Sequence, residues 1–432
     1  MGQLRPRLLL AVVAATALLL STACQSAGDT TASGGTDAKD DGSTITMWTR
    51  SATATFTQTL IDSYNTSHRN KVKLTVIPSD TYQQKVGTAS GAKKLPDLLA
   101  SDVVYAPNYA SKGLFQDLTA KVDTLPFKDT LAPAHLKTAT YDGKIFGVPH
   151  DIDLSALFYN KVLFKRAGLD PEKPPTTMEE VYADAKKIDA LGGKVDGYFF
   201  GGACPGCTLF TTWPMIWASG ETVLNDKGTE STVDNPAAAK IYELYKKMYR
   251  EKLVPTAVKN EGGPTWVQAF GEGKIGLQPL GATALQTFKE GPDLQIGVAP
   301  IPGLTGGQSS FVGGDVIGIG ANSKKAAQAW DFISWTLSEQ AQVNVVAKNK
   351  NITVRSDLAK NTYAQQDPRL GVFNQLAGEG QTPISVNFGK TFNDPSGPWT
   401  ATIIDAVFGT GSSADALAEH NPSITQSLSS GG

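Results

Sequence analysis

From Thr44 onward the apolar positions change period twice. Ile45 and Met47 alternate with polar neighbours, Phe56, Leu60, Ile61 and Tyr64 fall at helical spacing, and Val72, Leu74 and Val76 alternate again. Alternation marks a strand and a 3.6-residue period marks a helix, so the segment spells strand, helix, strand. Strands joined in this way pair in parallel through a right-handed crossover. The chain is thereby committed to an α/β architecture on a mainly parallel sheet. Leu98-Leu99 and Ala156 to Tyr159 add further strands, as do Leu294 to Pro300 and Val316 to Gly320.

The middle of the chain is more helical. Thr177 and Glu180 form a capping box ahead of Val181, Ala185 and Ile188, and Gly192 closes that segment. Asn235-Pro236 opens a second amphipathic helix carrying Ile241, Leu244, Tyr245 and Met248. Later helices are expected over Ala326 to Leu337 and from Trp399 to Val407.

Ahead of the first strand, Arg5 and Arg7 precede the apolar run Leu8 to Leu20, and small residues lead to Cys24. This is the pattern of a secretory signal over residues 1–23. The run is well short of the roughly 20 residues that cross a bilayer, and no comparable stretch follows it. Ser21-Thr22-Ala23-Cys24 resembles a bacterial lipobox, with Ser21 where Leu or Val is usual. The expected product is a protein on the outer face of the cell membrane, held there only by a lipidated Cys24. Residues 24–43 are almost entirely small or polar, a composition that cannot bury enough apolar surface to fold, so they are expected to be a flexible tether. Removing Arg5 and Arg7 leaves 37 of the 39 Lys and Arg against 41 Asp and Glu. That balance excludes nucleic acid as a partner. Roughly 390 residues beyond the tether exceed what one hydrophobic core usually organises, so two lobes are expected.

Cys204 and Cys207 lie in Gly-Gly-Ala-Cys-Pro-Gly-Cys. In an exported chain the pair reads as a small disulfide in preference to a thioredoxin-type couple, because the helix-opening context of the redox motif is expected to be missing. A zinc knuckle would need two more ligands, and His68, His135, His150 and His420 show no ligand spacing. Neither a metal nor a cofactor is expected. Gly271 to Gly276 matches a dinucleotide-binding glycine pattern but follows a helix and enters a strand, the reverse of the functional order. Ser90-Gly91-Ala92-Lys93 has no Ser-Asp-Asn or Lys-Thr-Gly partner, and no Gly-x-Ser-x-Gly or His-Glu-x-x-His occurs.

Several segments, in order, resemble the carbohydrate-binding, maltose-binding-protein-like branch of ABC-importer solute-binding proteins. They are Leu95-Pro96-Asp97 with Asp102, Gly143 to Pro149, Phe158-Tyr159-Asn160-Lys161, Thr212-Trp213-Pro214, Ala269 to Lys274, Phe311 to Gly314, and the helix ending near Ser338-Glu339. The resemblance implies a type II periplasmic-binding-protein-like fold of two α/β lobes, with residues 44–152 plus 299–336 as lobe 1 and 153–298 plus 337–425 as lobe 2. Hinge crossings are implied near Asp151 to Leu154, Val298 to Ile301 and Leu337, with the ligand in the inter-lobe cleft. It also implies a monomer that captures a sugar or small oligosaccharide for permease subunits, without catalysis.

A sugar receptor needs carboxylates or amides for hydroxyl groups and flat aromatic rings for C–H faces. By the resemblance, Asp102 and Asp153 match positions that contact sugar hydroxyls, and Trp399 and Phe210 match stacking aromatics. Trp213 joins the aromatic candidates, with Trp48 and Trp266 behind it. Gly314 and Asp315 bring backbone and a carboxylate to the cleft, and Asn393 offers donors and acceptors. Thr283 stands where the family has another stacking tryptophan, which argues against a maltodextrin. Arg50, just past the first strand, keeps open a receptor for an anionic solute such as a uronate or a glycerophosphodiester. The paired carboxylates also leave a secreted glycosidase or a surface adhesin as alternatives.

Overall fold

The computed structural model describes residues 38–430 except Pro264; the apolar run and Cys24 lie outside them. The expected tether ends before Ser43. Asn70, fully buried, accepts the backbone N–H groups of Asp41, Gly42 and Ser43 through its side-chain oxygen, and Asp40 accepts from Arg69 N–H. A polar segment is thus fixed to the fold by hydrogen bonds that its composition does not reveal.

Strand β1 (Thr44–Arg50), helix α1 (Ala54–Ser67) and strand β2 (Lys71–Ile77) form the expected unit, with β1 and β2 in parallel register. Strand β3 (Leu98–Asp102) pairs with the other side of β1, also in parallel. Next comes β4 (Val148–Asn160), three times the length of the expected Ala156 to Tyr159 segment. Helix α2 (Met178–Asp189) begins with Thr177 accepting from Glu180 N–H, while the Glu180 carboxylate reaches back to Thr176 N–H at 2.7 Å. Strand β5 (Asp196–Tyr198), helix α3 (Pro205–Ala218) and helix α4 (Pro236–Arg250) follow, and Asn235 caps α4 as expected. The remaining elements used below are β6 (Ile275–Gly281), β7 (Ile296–Ala299), β8 (Val312–Ile319), α5 (Ala326–Thr336), α6 (Pro368–Glu379) and α7 (Pro398–Ile403).

The strand order is β2-β1-β3-β8-β4-β6-β5, with β7 also on β4. What organises the molecule is that β4 serves two sheets. Its residues Val148 to Leu154 pair with β8, and Ser155 to Asn160 lie between β6 and β7. Each sheet is covered by its own helices, so the fold is two α/β lobes sharing one strand, and the first crossing falls at Leu154/Ser155.

The return passages come later than the resemblance implies. After Ala299 the chain makes a hairpin, Ile301–Pro302 with Gln308–Ser309, which stays against α3, and it joins the first sheet only at Val312. Gly303 and Gly307 permit that contact, since a Cβ on either would lie within 2.6 Å of the Ala218 carbonyl oxygen. Beyond α5 the chain remains with the first lobe to Arg355, which bridges Leu131 and donates to the Leu337 carbonyl. It touches the second lobe at Asn351, which accepts from Gln286 beyond β6, and passes to it near Ala359, whose carbonyl accepts from Asn374 on α6.

Candidate functional site

The sheet register determines which carboxylates meet. Asp315 on β8 lies directly between Asp102 on β3 and Asp151 on β4, so three aspartates form one row across three adjacent strands. Like charges placed opposite one another repel. The counter-charge is Arg50, at the end of β1. Its Nε donates to Asp315 at 2.8 Å, its Nη2 also pairs with Asp315, and its Nη1 pairs with Asp102 at 3.0 Å. Asp315 further accepts from the Thr53 hydroxyl at 2.7 Å. Burial opposes the Arg50 charge, but Asp102 and Asp315 outweigh it and the guanidinium pKa is raised.

A cavity of about 600 Å³ opens above this row, between the lobes, within the size range of small-molecule sites. The ends of β1 and β3 deliver Arg50 and Asp102 to one wall, and β4 delivers Asp151 and Asp153 to its floor. Open parallel sheets bind at the carboxyl ends of their strands for this topological reason. The Thr283 N–H donates to Asp153 Oδ1 at 3.0 Å. Burial nonetheless pushes the Asp153 carboxyl up to about 6. Burial raises Asp102 against the pull of Arg50, and it raises Asp151 well above the usual range, with Asp315 and Asp153 adding to the effect.

Glycine brings the backbone close at one point. Gly314 has φ +103, and a Cβ there would lie 2.2 Å from the Asp151 carbonyl oxygen, so no other residue fits. Aromatic rings complete the walls: Phe210 on α3, Trp266, and Tyr105 just past β3. Tyr105 accepts a hydrogen bond from Asn393 Nδ2 at 3.2 Å, a link from one lobe to the other across the cavity mouth.

Residues 49–343 match the sequence model of the bacterial extracellular solute-binding protein family. The chain belongs to that family. Among relatives of this solute-binding protein, the diacetylchitobiose binding protein DasA of Streptomyces coelicolor is 28% identical over 394 residues, 87% of each chain. The galactooligosaccharide-binding protein of Bacillus subtilis is 23% identical over 337 residues, 74% of this chain and 75% of its own. The crystal structure of an ABC transporter solute-binding protein from Thermotoga lettingae bound with α-D-tagatose superposes with a TM-score of 0.79, at 21% identity, over 89% of this chain and 100% of that one. This last likeness bears on the fold.

Of the candidates named from sequence, Arg50, Asp102, Asp153, Phe210, Gly314 and Asn393 line the cavity of this solute-binding protein. Asp102 also caps the turn after β3 by accepting from Val104 N–H, so its binding and capping readings coexist. Three candidates lie elsewhere. Asp315 is fully buried behind Arg50 and acts through it. Trp213 and Trp399 have no exposed surface; their rings pack at 5.7 Å in a T-shaped pair, with Phe392 against both. They fill the second lobe's core, because α3 is buried on more than one side and only its N-terminal part, from Pro205 to Phe210, reaches the gap. Trp48 also lies outside the cavity lining, beneath Lys85.

Sequence reasoning missed Tyr82, Tyr105 and the Cys204 to Cys207 loop as cavity walls. The tyrosines follow β2 and β3 at the same edge of the sheet where Arg50 ends β1, and applying the strand-end rule to every strand finds them. The cysteine sulfurs are at bonding distance, 1.95 Å. Cys204 is the N-cap of α3 and Pro205 its first residue, so the helix-opening context that the sequence did not reveal is present. Among the described residues, no three His, Cys, Asp or Glu side chains converge to hold a metal ion, and no helix is long and apolar enough to cross a membrane.

Proposed function

We propose that this protein captures a sugar or small oligosaccharide between its lobes and hands it to ABC permease subunits. The observation that carries the reading is the cavity wall itself, where Asp102 and Asp153 stand beside Phe210 and Trp266. Carboxylates accept from paired hydroxyls while aromatic faces cover C–H surfaces. The sugar-binding relatives named above support it. The lobes divide at Leu154/Ser155, near Val312 and between Arg355 and Ala359, and they close on the ligand. We further assign the signal to residues 1–23, the lipid to Cys24, the disulfide to the exported form and the working state to a monomer.

The anionic-solute reading loses its main support because Arg50 is already paired with two carboxylates. Calorimetric titration with the ligand co-purified from the native host decides between them. Asp153→Ala is expected to weaken binding by about 2 to 4 kcal/mol, the scale of charge-assisted bonds in a desolvated site, and Arg50→Ala by less. A larger loss from Arg50→Ala would overturn the neutral or cationic sugar reading. Cleavage of an oligosaccharide that is lost in Asp153→Ala would establish a glycosidase instead.

A further inference from the structure

The charges around the cavity do not balance. Arg50 is the only Lys, Arg or His side chain among the described residues that line it, and that guanidinium is shared by Asp102 and Asp315. Asp80, Asp151 and Asp153 also line the cavity, with no basic partner among its walls. Asp80 is at the exposed rim, where water solvates it. Asp151 is different. It is 2% exposed, and its Oδ1 has no hydrogen-bond partner. A buried carboxylate oxygen left unpaired is costly, and a ligand group that pairs with it recovers that cost on binding.

The neighbouring elements supply nothing to pair with it. Asp315 on β8 faces Asp151 across the strand pair, Asp153 lies two residues along β4, and Arg50 is held by Asp102 and Asp315. His135 contacts the Asp151 carbonyl oxygen through Nε2 at 3.0 Å, and both His135 and His150 are pushed by burial to about 4, so they are neutral at physiological pH. A metal ion would need converging ligands that the described residues do not offer. An organic cation needs only a carboxylate or two and an aromatic wall.

We propose that the ligand itself brings the missing positive charge, and that the cavity takes a saccharide carrying a protonated primary amine, with its ammonium against Asp151 and Asp153 and its ring against the aromatic walls. This rests on the sugar-capture reading and names the substrate class within it. Burial, with Asp315 and Asp153 close by, raises the Asp151 carboxyl well above the usual carboxylate range, so an ammonium placed against it stabilises the charged form.

The full-length protein is titrated by calorimetry with matched sets that differ only in the C2 substituent of each ring: glucosamine, N-acetylglucosamine and glucose, the same three galactose derivatives, and the β-1,4-linked dimers chitobiose, N,N′-diacetylchitobiose and cellobiose. Spermidine serves as an amine without a sugar. An amine-bearing member is expected to bind at least tenfold tighter than both neutral counterparts. Asp151→Asn is expected to reduce the preference to about twofold, and Asp153→Asn provides the second variant should the first not fold. Equal or tighter binding of a neutral counterpart overturns the amine inference and leaves the sugar reading intact. Binding of spermidine alone overturns the sugar reading and the proposal built on it, and binding of no member counts against both.

Discussion

Phe210 and Trp213 are one helical turn apart on α3, yet they belong to different parts of the molecule. Phe210 is half-buried on the cavity wall with its ring 5.4 Å from that of Phe311, whereas Trp213 is sealed among Phe388, Phe392 and Trp399. The two aromatic groups have the same chemistry and nearly the same sequence context. Their difference is which side of the helix faces a gap between lobes, and that is decided by tertiary packing. Aromatic residues on a wall hold affinity in reserve, and those in the core hold the wall in place.

The largest expected effect tests the core side of this comparison. Trp213→Ala should lower unfolding free energy by about 3 to 5 kcal/mol, as for other buried tryptophans, while the folded fraction retains near-native affinity. Chemical denaturation with parallel titration measures both, and a variant of normal stability that no longer binds would move Trp213 back to the site.

Next is the carboxyl on the cavity floor. Folding raises Asp153 from its ordinary 3.8 to about 6, so its neutral form is favoured in the native state. The stability this contributes is complete below pH about 4 and is lost as pH rises through about 6, by about 3 kcal/mol. Unfolding midpoints of the empty protein should therefore decline between pH 4 and 7, and Asp153→Asn should flatten that decline. An unchanged pH profile in the variant would show that Asp153 is not the group responsible.

On the wall, Phe210→Ala should reduce affinity about 5- to 30-fold through lost aromatic contact area, with a stability loss smaller than that of Trp213→Ala. Equal losses at the two positions would erase the distinction between wall and core. The smallest effect is expected from reducing the Cys204–Cys207 pair. Because that loop lines the cavity beside Gly263, its relaxation should weaken binding a few-fold, and isothermal titration with and without a dithiol reductant measures it.

The sequence carried the α/β class because apolar periods along β1, α1 and β2 report burial directly, and the capping residues Thr177 and Asn235 mark helix starts by local hydrogen bonds. Arg50, Asp102 and Asp153 were legible as cleft candidates because strand ends and family segments fix their positions, and all three line the cavity. Asp151 was not, although it lies two residues from Asp153. Its importance arises from register, since only pairing with β8 sets it beside Asp315. Trp213 and Trp399 were misplaced for the complementary reason: a large aromatic residue satisfies a ligand face and a core equally well in sequence. The late return at Val312 was hidden because Gly303 and Gly307 look like ordinary turn glycines until Ala218 is found against them.

The shared strand β4 places Asp153 one residue before the point where the chain leaves one sheet for the other. For any rotation of one lobe on the other, atoms near that junction lie close to the axis and move least, while those at the cavity mouth, Tyr105 and Asn393, lie at the end of a long arm. Contacts to Asp153 would thus persist through such a swing almost unaltered, and the mouth would translate the same rotation into large displacement. Under the proposed capture, the grip would lie near the fulcrum and the displacement at the rim, so a permease that feels only the outer surface would receive an amplified report of whether the floor is occupied.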